Sequence, residues 1–126
     1  MGNMTALFGS TFDPIFWLHH VHINRLAAIW QAINPGYTID PLPSERSRFT
    51  AKVGTVENVT SHLEPFHKTT AHSMEDYHTA NDTKEVINTF GNGYYYPETP
   101  LEYIKDSIAM KDYTLTAVNK LYWPPR

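Results

Sequence analysis

Residues 14–33 constrain the chain most, because they read as one long helix that has to be buried. Asp13 is placed to cap it, and Pro14 suits the first helical position, where a missing N–H costs nothing. Asn34-Pro35-Gly36 then breaks it. The early part, Ile15-Phe16-Trp17-Leu18, is apolar on every side of a helix. Such a helix sits in the middle of a domain, not on its surface. The expected interior set is Phe16, Trp17, Leu18, Ile23, Leu26 and Trp30.

His19, His20 and His22 lie inside this helix. A buried imidazole needs a hydrogen bond or a metal, because stranding its polar atoms is costly. Neutral imidazole ligates copper, zinc, iron and nickel well. His19 and His22 share one face, and His20 shares another with Asn24. His19 and His20 diverge by roughly 100°, so the three cannot easily close on one ion. Spacing alone leaves two readings open: histidines satisfied by ordinary hydrogen bonds, or a metal site.

With 126 residues the chain amounts to one domain at most. Its 41% hydrophobic and 18% charged residues suit a globular chain. A net charge of -3 gives no case for nucleic acid or an anionic membrane. No cysteine is present, which excludes disulfides, thiolate metal sites and a cysteine nucleophile. No apolar run is long enough to span a bilayer. The first ten residues carry no signal-peptide pattern, so an intracellular, cytoplasmic location is expected, and the Asn-x-Thr sequons at Asn3, Asn58 and Asn81 read as chance.

Residues 1–12 read as an opening loop. Residues 37–80, punctuated by Pro41, Pro43 and Pro65, read as loops and short strands. A short helix is expected over Asp82 to Asn88, ending at Gly91. A last helical segment is expected from Thr99, where Thr99 and Glu102 have capping-box spacing and Pro100 takes the first position. Leu101, Ile104 and Ile108 would form its apolar face, with an interruption over Lys111 to Thr116 and an end near Tyr122. Phe90 to Glu98 should pack back on the helices, since tyrosine rings carry apolar area with a polar tip.

The string Asp13-Pro14-Ile15-Phe16-Trp17-Leu18-His19-His20, continued to Trp30, resembles the second copper signature of the tyrosinase, catechol oxidase and haemocyanin superfamily. The resemblance extends further, in the manner of the fungal enzymes, through Gly2-Asn3-Met4, Trp30 to Pro35, Leu63 to Phe66, Asn81 to Thr83, and the stretch Phe90 to Glu98 with its Tyr94-x-Tyr96 pair. It implies a mainly α fold: a partial tyrosinase-like helical bundle with long irregular loops and few short strands. Residues 1–126 would form a single partial domain, the C-terminal part of a copper-binding domain.

The same resemblance makes His20 a ligand of the second copper. His19 is its motif neighbour, and Asn24 stands where the family carries an aspartate that supports the ligand through hydrogen bonding. Met4 and Leu7 would edge the phenol pocket, and Phe16 would pack under the site. The complete family centre holds two coppers on six histidines. Its cofactor is copper, its substrates are phenols and dioxygen, and its products are o-quinones. Here the first two ligands of the second copper, an HxxxH pair, are missing, and no HxxxH occurs in the chain. Its other histidines, His62, His67, His72 and His78, fall in the family's variable loops. The expected chemistry is therefore tyrosinase-like polyphenol oxidation represented by one part of the enzyme. The alternative is a weak mononuclear copper protein or a non-catalytic remnant, holding at most one copper weakly. A partner chain supplying the missing ligands is part of the expectation; nucleic acid and membrane are not.

Overall fold

A computed structural model describes residues 7–70, 76–84, 86 and 94–123, with backbone alone for residues 7 and 8. A short helical turn, α1 (Leu7–Ser10), leads into the long helix α2 (Pro14–Ile33). The Asp13 carboxylate accepts from the Ile15 N–H at 3.1 Å, the predicted cap. The Trp17 indole N–H donates to the Thr11 carbonyl at 3.0 Å and ties the preceding turn to the helix. At the other end the Asn34 side-chain amide donates to the Trp30 carbonyl at 2.9 Å, and Gly36 takes a positive φ of 77°. That backbone conformation is open to glycine at no steric cost.

The middle of the chain forms two small antiparallel sheets. Strand β1 (Leu42–Pro43) pairs with β2 (Val56–Glu57), and β3 (His62–His67) pairs with β4 (Tyr77–Thr79). The second pairing sets His62 opposite Thr79 and His67 opposite Tyr77, with an irregularity between them. The Tyr77 ring packs against His67 at 4.2 Å and His62 at 5.4 Å between centroids. A 3-10 turn follows at Ala80–Thr83, closed by Asp82 accepting from the Thr79 N–H at 2.7 Å. Of the helix expected over Asp82 to Asn88, this turn and the helical, buried Val86 are described; the remainder and Gly91 lie outside the described residues.

The last helix, α3 (Ser107–Tyr122), begins later than expected and runs through Lys111 to Thr116 without interruption. Its cap is Asp106, whose carboxylate accepts from Ile108 and Ala109 at 3.1 and 3.0 Å. The Thr99 to Glu102 spacing does not cap a long helix. Leu101–Tyr103 is a single 3-10 turn without a side-chain cap bond, and Thr99 is fully buried in a bridge to Tyr96. Ile108 and Leu101 are exposed, so the predicted apolar face does not form. The core instead joins Ala32 on α2, Val86 and Met110 on α3, flanked by Tyr103 and Ile104.

Helix α2 therefore buries only Ala28, Ile29 and Ala32. The interior set expected for it is not reached: Trp17, Leu18, Ile23, Leu26 and Trp30 are exposed and Phe16 is half-buried. The physical reason is a shortage of partners. An all-round apolar helix needs neighbours on several sides, and the long helix packed on it here is α3. The accompanying expectation, that part of this apolar surface stands uncovered, matches the structure.

The end of the chain is clamped to α2. The buried Glu98 carboxylate receives two bonds from the Arg25 guanidinium, one of them Nε to Oε2 at 3.1 Å. The Thr114 hydroxyl on α3 donates to the Glu98 carbonyl at 2.8 Å. Glu98 thus packs back on the helices, whereas the rings of Tyr94 and Tyr95, expected to do so, are exposed and Tyr96 is half-buried; Phe90 to Gly93 lie outside the described residues.

Candidate metal centre

His20 projects from the second turn of α2 and is exposed. Its ring rests on Phe16 one turn earlier, with centroids 4.2 Å apart and planes tilted by 48°. The ring of His19 lies 5.7 Å away at 80° to it. The two imidazoles thus point into different space, as helical geometry requires of adjacent residues. Asn24 is exposed on the turn after His20, and its side chain makes no hydrogen bond among the described residues. His22 is also exposed. Leu7 opens α1, its side chain is not described, and Met4 lies outside the described residues.

The loop histidines are gathered elsewhere. His62 and His67 belong to β3 and His78 to β4, where its Nδ1 lies 3.9 Å from the Asp82 carboxylate. His72 lies outside the described residues. Among the described residues no group of three or more histidine, aspartate, glutamate or cysteine side chains could hold a metal ion. Among the described residues the donor set therefore does not fit a complete copper site.

The Arg25–Glu98 pair was not anticipated from the sequence. The signal was available, since Arg25 is the one formally charged residue within the apolar stretch 14–33, and a charge there needs a partner. The guanidinium holds the Glu98 carboxyl below the usual glutamate range, against the opposing effect of burial. Arg25 is raised in turn, first by its bond to Glu98. The tie fixes α2, one and a half turns beyond His20, to the tail segment and through Thr114 to α3.

Comparison with known proteins places the chain. A family model described as the common central domain of tyrosinase matches residues 1–33. A tyrosinase of Neurospora crassa is 43% identical over 98 residues, covering 78% of this chain and 13% of that protein. A tyrosinase of Podospora anserina is 39% identical over 98 residues, covering 78% of this chain and 16% of that protein. A solved structure of mushroom tyrosinase superposes with a TM-score of 0.73 at 28% identity, covering 94% of this chain and 29% of that one. The chain thus spans less than a third of the length of each relative.

Proposed function

We infer that this chain, which belongs to the tyrosinase and polyphenol oxidase family, supplies one copper-ligating imidazole, His20, to a site for oxidising phenols with dioxygen. Bound copper would supply the oxygen chemistry; the protein holds geometry and shapes the pocket. Within the chain, the Phe16 ring backs the His20 ring. Asn24 offers an uncharged side chain on the same face, a weaker support than a carboxylate. The Arg25–Glu98 tie holds the helix that carries both.

The carrying observation is the pairing of a ligand-type histidine with an uncovered apolar helix and no further ligand cluster among the described residues. Such a helix suits a bundle whose other members come from outside this chain. Alone, the chain should hold at most one copper weakly and turn over little or no o-diphenol. The test assays o-diphenol oxidation by the copper-loaded chain, alone and mixed with a chain bearing the HxxxH part of the domain. His20→Ala serves as the control, because free copper oxidises catechols unaided. Turnover only in the mixture, and only with His20, supports the reading. Equal turnover by the chain alone would contradict it.

A further inference from the structure

A cleft of about 320 Å³ opens between the β1–β2 hairpin and β3. Arg48 comes from the loop of the hairpin, Glu57 ends β2, and His62, Leu63, Glu64 and Phe66 belong to β3. The volume lies at the small end of the range for small-molecule sites, about 300–1,000 Å³. Charged and apolar groups share the cleft. Leu63 and Phe66 are exposed, so the core does not use their apolar surface.

Arg48, Glu57 and Glu64 line this one cleft, yet none pairs with another, and none has an ion-pair partner among the described residues. Glu57 is half-buried, and Arg48 and Glu64 are exposed. One cation faces two anions, so the complementary ligand carries one anionic and two cationic groups. A metal ion does not meet that need: among the described residues no group of three or more histidine, aspartate, glutamate or cysteine side chains could hold one. A simple diamine leaves Arg48 unanswered, and an amino acid with a neutral side chain leaves one carboxylate unanswered. A dibasic α-amino acid answers all three. Its carboxylate meets Arg48, its two cations meet Glu57 and Glu64, and its methylene stem lies on Leu63 and Phe66. The Phe66 ring favours a guanidinium over a second ammonium, because a planar guanidinium stacks on an aromatic face and still bonds a carboxylate with two N–H groups.

We propose that the cleft framed by Arg48, Glu57, Glu64, Leu63 and Phe66 binds a dibasic α-amino acid, arginine above lysine. The proposal uses no copper and no residue of α2, so it does not depend on the reading of His20 as a copper donor.

Titration of the copper-free, nitrogen-15-labelled full chain with L-arginine, followed by amide chemical shifts at constant ionic strength, tests it. The expected result is saturable shifts centred on residues 48–66, with a Kd on the order of 1 mM, the scale of a small ligand in an open cleft. Arg48→Gln, Glu57→Gln and Glu64→Gln should each weaken binding about three- to tenfold, while the exposed Glu102→Gln, an equal change in net charge, leaves it within about twofold. Agmatine, which lacks the carboxylate, and L-citrulline, which lacks the side-chain charge, should each bind at least about threefold more weakly than L-arginine. Unchanged helical circular dichroism confirms that each variant keeps its fold. No shifts up to about 20 mM L-arginine, a range well past the expected Kd, would overturn the proposal. So would shifts that miss residues 48–66, agmatine or citrulline binding as tightly as arginine, or cleft variants that bind as the parent chain does.

Discussion

Replacing Glu98 by Ala removes a carboxylate that is 5% exposed and doubly bonded to an arginine that is 26% exposed. Breaking a fully buried pair from one side costs about 3–5 kcal/mol, because the remaining charge is stranded. Arg25 keeps partial access to water and can rehydrate, so the expected loss is about 2–3 kcal/mol. For a domain whose total stability is typically about 5–15 kcal/mol this is a large fraction. Urea unfolding followed by tryptophan fluorescence measures it as a shift in midpoint at constant slope. The pH dependence has a definite sign. The Glu98 carboxyl titrates below its ordinary range in the fold, so the pair's contribution is full above the unfolded value of about 4.3 and fades as pH falls through the lower folded value. Glu98→Gln should flatten this acid limb. A loss below about 0.5 kcal/mol for Glu98→Ala, or an unchanged acid limb for Glu98→Gln, would refute the claim that this pair ties the tail to α2.

Asp106→Ala should cost about 1 kcal/mol and lower the helical signal, since its carboxylate caps two N–H groups of α3. Met110→Ala should cost about 2–4 kcal/mol in urea unfolding, as the side chain is 4% exposed within the small core. Thr114→Val keeps the shape but removes the donor to the buried Glu98 carbonyl; about 1–2 kcal/mol should be lost, and the loss should not add fully to that of Glu98→Ala.

Local chemistry was legible wherever a residue acts on its own neighbours. The bounds of α2, its Asp13 cap and its Asn34 stop all follow from short-range rules, and the structure repeats them. The same rules misplaced α3. Thr99 and Pro100 look like a helix start, but tertiary packing claims Thr99 for the bridge to Tyr96, and Asp106 then caps the helix six residues beyond Pro100. The interior of α2 was read from an apolar pattern that describes a helix surrounded on all sides, whereas its buried residues among those described lie on one side. The Arg25–Glu98 tie spans 73 residues, a separation at which periodicity and spacing are silent. At the candidate site, His20 and Phe16 stand out through the family resemblance, and the contact between their rings follows from their separation of one helical turn.

The central claim is that this chain contributes a single copper donor, His20. Equilibrium dialysis of the purified chain against Cu(II) with a competing chelator, with metal counted per chain, tests it most directly. At most one weakly held copper per chain, lost on His20→Ala and unaffected by His62→Ala, His67→Ala or His78→Ala, is the predicted result. Two tightly held coppers per chain, or copper retained after His20→Ala, would contradict it.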